Sequence, residues 1–258
     1  MQGMNFYLIT PNDPVQREVL EKVEMGARSK LMTDYHASLN SGFLTTIACV
    51  YYESIVRCLV RIMRDTKTDN ATINFFDLFA AQATTRVNED ADKEGNINVK
   101  FVAGPATRRL IETGTVDTIR PEMWQKTIIA DVQKYAANVL YKKHRLYIPK
   151  SDSNNIITTV AYVYFEFLIR TLNMMIEGDA SNSAMINFLD LFELHIFKMK
   201  NVMEPEKKAE GEEEPNEEPA VTREKPDRID VKIRPGMAAK LIIKDDHTTE
   251  GMGDDDDD

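Results

Sequence analysis

Apolar residues recur at spacings of three and four over residues 43–64, where Ile47, Val50, Tyr51, Ile55, Cys58, Leu59 and Ile62 share a helical register. The stripe is wide, so this helix is expected to be buried on more than one side. The same pattern returns over about 155–176 and stops at Gly178, a residue that ends helices well. Ahead of the first long helix, Asp13-Pro14 supplies an N-cap acceptor followed by proline at the first helical position. The helix from Val15 to Met25 is expected to continue, or to restart near Ser29, through Leu31, Met32, Tyr35 and Leu39, until Asn40-Ser41-Gly42 breaks it. Ahead of the second long helix, another is predicted from about Pro121 to Tyr141, followed by a polar connection over Lys142–Ser153. After each long helix the pattern changes to segments rich in Ile, Phe, Thr and Ala. Ala71–Thr85 and Ala184–Met199 each read as one strand. Further strands are predicted at Asn5–Thr10, Ile97–Val102 and Thr115–Ile119, with a turn at Asn88–Asn96 and a short helix at Pro105–Glu112. A strand and short helix return over Ile229–Lys244.

The order repeats because parts of the sequence repeat. YYESIVRC at 51–58 matches YFEFLIRT at 164–171, and ATINFFDLF at 71–79 matches AMINFLDLF at 184–192, both at an offset of 113. Thr45-Thr46 pairs with Thr158-Thr159 at the same offset, while VKFVAGPATRRLI at 99–111 matches VKIRPGMAAKLII at 231–243 at an offset of 132. The second half therefore carries 19 more residues between its matching segments. The expected fold class is α+β, built from two units of like order.

Charge separates the body from the C-terminal region. Residues 1–202 contain 23 basic and 23 acidic side chains, whereas residues 203–258 contain 9 and 19, which accounts for the net charge of −10. Met203–Asp230 is Glu-, Pro- and Lys-rich without periodicity, and His247–Asp258 ends in five aspartates, so both are expected to be disordered. Such acidity opposes a phosphate backbone. The N-terminus lacks a basic region followed by an apolar run, and no run approaches the ~18–20 apolar residues of a membrane span, so synthesis in a cytoplasm is expected. Cys49 and Cys58 fall on opposite sides of one helix and read as buried free thiols.

Candidate chemistry is sparse. His36, His144, His195 and His247 are scattered, with no Cys or carboxylate at metal-ligand spacing, and neither a phosphate-binding glycine loop nor a nucleophile–base arrangement is present. No enzyme activity, metal or cofactor is expected. Asp77 and Asp190, the repeated carboxylates in apolar surroundings, read as turn residues rather than a catalytic pair. Asp254–Asp258 reads as a solvated run rather than a cation site. Glu53/Arg57 and Glu166/Arg170 are the same i, i+4 pair in both halves and read as helix-surface salt bridges. Two basic groups remain as candidate nucleic-acid or partner contacts: the stripe Arg57, Arg61 and Arg64, and the cluster Lys142, Lys143 and Arg145.

The sequence of helix, long helix, turn, strand, arm, strand and short helix resembles the HU/IHF family of bacterial DNA-bending proteins. Phe101-Val102-Ala103-Gly104 fits the family's Phe-x-x-Gly segment, and Ile233-Arg234-Pro235-Gly236 fits with Ile in place of Phe. Asn74–Phe79 and Asn187–Phe192 keep the aromatics of its strand motif but lack the glycines. The resemblance implies an N-terminal extension (1–25), a first unit (26–118), a second unit (119–246) with an acidic insert at about 203–228, and a tail (247–258), the units pairing as a single-chain pseudo-dimer. The family bends DNA with basic arms tipped by Arg-Asn-Pro. Here the first arm region, Ala80–Asn98, carries Glu89, Asp90, Asp92 and Glu94, and neither arm region contains Arg-Asn-Pro. The expected role is therefore a structural virion protein, since crAss-like tailed phages carry IHF-like virion components. That role would be a neck or tail ring subunit made in a bacterial cytoplasm, contacting copies of itself and neighbouring virion proteins, with weak or no binding to duplex DNA and no membrane partner. The alternative is an architectural DNA-binding protein with an autoinhibitory acidic tail.

Overall fold

Asp13 opens the first helix as its side chain implies, accepting from the Val15 N–H at 2.9 Å with Pro14 in the first turn. The resulting α1, Pro14–Asp34, runs unbroken past Ser29, so Pro14–Met25 belongs to the same helix as the residues after it. The computed structural model describes residues 13–40, 42–85, 97–116, 128–148, 155–178, 182–199 and 228–245. The expectations for Asn5–Thr10, Asn88–Asn96, most of the acidic insert and the tail 247–258, with Asp254–Asp258, lie outside the described residues. Thr115 and Val116 are coil, and the rest of the strand expected there lies outside as well.

The first half continues with α2 (Phe43–Thr66), β1 (Asn70–Phe75), β2 (Phe79–Thr85), β3 (Ile97–Ala103) and α3 (Pro105–Thr113). The second half contains α4 (Ile128–His144), α5 (Ile156–Gly178), β4 (Ser183–Phe188), β5 (Phe192–Met199), β6 (Arg228–Pro235) and α6 (Met237–Asp245). The fold is α+β: helices with two three-stranded antiparallel sheets, ordered β1-β2-β3 and β4-β5-β6.

One correction falls on the strands. Ala71–Thr85 and Ala184–Met199 are not single strands; each folds back at a three-residue loop that pairs Phe75 with Phe79 and Phe188 with Phe192. Phe76 and Asp77 take φ of 49° and 58°, and Leu189 and Asp190 take 51° and 59°, without the Asn-Gly signal that marks such turns. Neighbouring side chains hold the left-handed backbone instead. Asn74 accepts from the Asp77 N–H at 2.9 Å and donates its amide to the Asp77 carboxylate at 2.7 Å; Asn187 and Asp190 repeat this at 3.0 and 2.6 Å. Asp77 and Asp190 are turn residues, as read from the sequence.

Gly104 and Gly236 sit against these loops. A Cβ on either would lie 2.0 Å from the carbonyl oxygen of Asp77 or Asp190. The close approach lets the Gly104 and Gly236 N–H groups reach Leu78 O and Leu191 O at 2.8 and 2.9 Å.

The halves are interwoven. Helix α1 packs chiefly on α5 of the other half, α4 chiefly on α2, and α2 crosses α5; β3 runs beside β6, α6 packs on α2 and α3 on α5. Corresponding positions are buried in both first helices: Leu20 and Ile129, Val23 and Val132, Ala27 and Ala136, Leu31 and Leu140, an offset of 109. Aromatic rings from both halves build one core. Phe79 lies 4.9 Å from Phe165 between ring centroids, Tyr52 5.5 Å from Phe192 and Phe101 5.9 Å from Phe192. Most of α2 is covered in this way. By length and composition α2 is apolar enough to cross a membrane, a departure from the sequence expectation; its burial against protein makes it the core helix.

Candidate functional site

The geometry that joins the halves is a pair of polar junctions at the starts of the two long helices. Gly42, the N-cap of α2, has no side chain to serve the orphan amides that follow. Glu24 of α1 does so: it accepts from Gly42 N (3.0 Å), Thr45 N (2.9 Å) and Thr45 Oγ1 (2.9 Å). With its one proton given to the carboxylate, Thr45 Oγ1 accepts from the Tyr164 hydroxyl of α5 at 2.8 Å. The other half repeats the device. Gln133 Oε1 lies 3.1 Å from Thr158 N and 2.8 Å from Thr158 Oγ1, which is 3.2 Å from the hydroxyl of Tyr51 on α2. First-half Thr meets second-half Tyr and the reverse, the reciprocity of a two-fold contact. Burial pushes Tyr51, Tyr52 and Tyr164 well above the usual tyrosine range, so all three stay neutral.

The predicted basic residues fall in two separate places. Arg57, Arg61 and Arg64 line a cleft of about 260 Å³ with Cys58, Asp65 and Tyr135 of α4. Arg57 is held by Glu53 at 2.8 Å, and Arg61 and Arg64 are exposed. Lys142 and Lys143 are exposed on the last turn of α4, and Arg145 follows with φ of 55°, ending that helix as His36 (φ 53°) ends α1. Leu146 N–H then bonds to Leu140 O as Ala37 N–H bonds to Leu31 O. Beyond Arg145, Leu146, Tyr147 and Ile148 meet Leu39, Phe43 and Ile47 at a cleft of about 530 Å³ between the two inter-helix loops. Tyr135 lines the arginine cleft and Lys142 lies seven residues further along α4, so the two groups are separated by roughly 10 Å along that helix.

Positions that correspond between the halves are chemically unlike. Arg61 corresponds to Met174, Arg64 to Glu177, Ser54 to Phe167 and Tyr135 to Gly26. Phe167 closes directly over Gly26, where a Cβ would meet its ring at 2.3 Å. Of the three arginines only Arg57 has an arginine counterpart, Arg170, and Phe167 over Gly26 reverses the small–large pairing of Ser54 with Tyr135.

A second correction concerns Glu166. The pair with Arg170 forms at 2.8 Å, but Glu166 is not on the surface: it is fully buried and also takes Lys30 of α1 at 2.9 Å. The sequence signal was indirect, since Lys30 lies 136 positions away. Its first-half counterpart Glu53 stays partly exposed, because Val139 stands where Lys30 would. Glu24 and Gln133 were also missed, because their offset of 109 differs from the 113 at which the long helices repeat.

Cys49 and Cys58 are buried free thiols, as expected, and burial pushes them up to about 12 and about 11. Among the described residues, no three His, Cys, Asp or Glu side chains gather in a metal-binding group. Fold and site together define an α+β chain whose two halves pack on each other through their helices. No family model, curated protein or solved structure matches it.

Proposed function

We propose that the chain is a tandem pair of HU/IHF-like units, paired as a pseudo-dimer, that serves as a structural subunit of a tailed-phage virion. Its place would be a neck or tail ring, where it contacts copies of itself and neighbouring virion proteins. The observation that carries the reading is the reciprocal interweaving of the halves through Thr45–Tyr164 and Tyr51–Thr158. One chain thereby meets the pairing that such a fold requires. Unlike residues at corresponding positions support ring assembly, because a head-to-tail contact joins two different surfaces and repeats around a ring. The body is neutral and the acidic excess lies after residue 202, which disfavours phosphate binding.

A DNA-binding reading draws on the exposed basic residues of the helical body and of Lys142–Arg145. It is an architectural role in which the acidic tail competes with DNA for them. A gel shift on a duplex of roughly 40 base pairs at about 100 mM salt separates the two. The whole chain and a chain ending at Lys244 are compared. Binding no tighter than micromolar by both is expected. Tight, salt-sensitive binding by the whole chain overturns the structural reading, and tight binding only after truncation establishes an autoinhibited DNA binder.

A further inference from the structure

The connection after α4 carries charge that its first-half counterpart does not. Residues 132–154 hold five basic side chains, Lys134, Lys142, Lys143, Arg145 and Lys150, against one acid, Asp152, whereas residues 23–45 hold two of each. Lys142, Lys143 and Arg145 are exposed, and among the described residues none of them pairs with a carboxylate. Arg145 immediately precedes Leu146, where the inter-loop cleft begins. We propose that this basic rim and apolar cleft together dock an acidic peptide segment of another protein, anchored by large apolar side chains. The proposal rests on the structural-subunit reading and names what one face of the subunit accepts.

The cleft supplies the place for the anchor. Leu39, Phe43, Leu146, Ile148 and Ile156 are partly buried around a volume of about 530 Å³, in the range of sites that enclose large apolar groups, and Tyr147 is 67% exposed at its edge. The carboxylates near its walls are already engaged. Glu24, beside Phe43, takes three donors at the start of α2. Asp34, ahead of Tyr35, accepts from the Thr33 hydroxyl and lies 3.8 Å from Lys30. The charge left at the rim is positive, and it attracts carboxylates over a screening length of about 10 Å.

The two features together narrow the occupant, because the chain's own segments each match only one of them. Residues 203–227 and 246–258 are acidic, but apart from alanine and proline their apolar side chains are Met203, Val221 and Met252 alone. Phe6–Ile9 is apolar, yet residues 1–12 contain no carboxylate. A segment that carries both acids and large apolar side chains therefore comes from another protein. Single-stranded nucleic acid fits less well, since it needs open ring faces on which bases stack. Tyr141 and Tyr147 instead meet edge to face, 6.1 Å between centroids and 71° between planes, so the edge of one covers the face of the other. The branched aliphatic walls of the cleft suit Leu, Ile or Phe rather than a polar base edge.

The test is fluorescence anisotropy of the whole chain with a labelled peptide, Glu-Asp-Leu-Glu-Phe-Leu-Asp-Glu. One comparison peptide has Ser in place of Leu and Phe, another has Lys in place of the acids, and oligothymidine serves as the nucleic-acid probe. A rim variant combines Lys142→Glu with Lys143→Glu, a cleft variant carries Ile148→Glu, and circular dichroism checks the fold of each. The parent peptide should bind, weaken as salt rises, and lose about tenfold or more against either variant. Each comparison peptide should bind the whole chain about tenfold or more weakly than the parent peptide. Equal binding of the Ser peptide or of the Lys peptide overturns the proposal, because one feature alone then suffices. Oligothymidine that binds more tightly than the peptide, and is lost in the rim variant, overturns it in favour of a nucleic-acid site and counts against the structural reading as well. The peptide titration is repeated with a chain lacking residues 1–12 and with a chain ending at Lys244. A gain of about tenfold over the whole chain in either identifies an own segment as the occupant and overturns the proposal. No binding by any chain overturns it too, and leaves standing the structural reading, which the gel shift tests separately.

Discussion

Glu24 gives the sharpest test of how the halves are joined. Replacing it with Ala removes the acceptor for three donors at the start of α2: Gly42 N–H, Thr45 N–H and the Thr45 hydroxyl. Gly42 has no side chain with which to compensate. A lost cap costs about 0.5–2 kcal/mol and a hydrogen bond to a charged group about 1.5–3 kcal/mol, and the three share one group, so the sum is expected near 2–4 kcal/mol. Glu24→Gln should be much milder. The other half already works this way, with the single Gln133 Oε1 serving both Thr158 N and Thr158 Oγ1. What Gln loses is the Gly42 contact and a negative charge at a helix N-terminus, together about 1–1.5 kcal/mol. Urea denaturation followed by circular dichroism measures both, with the slope checked for constancy. The reasoning fails if Gln at position 24 is as damaging as Ala, or if Ala lies within about 0.5 kcal/mol of the parent, the range of ordinary surface changes.

Gly104→Ala and Gly236→Ala should each cost about 3 kcal/mol, the upper end of overpacking, because the added carbon meets backbone rather than a movable side chain; equal thermal midpoints for parent and variants would contradict this. Glu166→Ala should cost about 1.5–3 kcal/mol by removing the carboxylate shared by Lys30 and Arg170, both of which stay partly exposed, with Asp34 3.8 Å from Lys30, and Lys30→Met should cost clearly less in the same urea assay. Stability should also fall above about pH 9. There the unfolded thiols release protons that the folded chain keeps, since burial holds Cys49 up at about 12 and Cys58 at about 11. The term is absent at neutral pH, where both states are protonated, and Cys49→Ala with Cys58→Ala should flatten the decline between about pH 8.5 and 10 while the buried tyrosines preserve it higher up. A urea midpoint constant from pH 7.5 to 10 in the parent would refute that sign.

Much of the element order was legible in the sequence because periodicity and repetition are local. The long helices announced themselves through apolar residues every three or four positions, Asp13-Pro14 marked the start of α1, and Asn74 and Asp77 recurred at Asn187 and Asp190. The α+β class followed from that order. The folded-back strands did not, because Phe76-Asp77 and Leu189-Asp190 are poor turn formers in isolation. Their left-handed backbone is held by Asn side chains and by the packing of Gly104 and Gly236. Partner choice between helices was beyond the sequence for a related reason. Nothing in α1 states that it packs on α5 rather than on its neighbour α2; that outcome depends on Phe167 fitting over Gly26 and on Lys30 reaching Glu166. Glu166 thus passes from an expected surface pair to a buried one, and Arg57, Arg61 and Arg64 come to face Tyr135 while Lys142 and Lys143 lie on the last turn of the same helix α4. A side chain's own spacing determines which face of its helix it occupies. Only the tertiary packing determines what that face meets, because the contact is set by the shape and charge of a segment more than a hundred residues away.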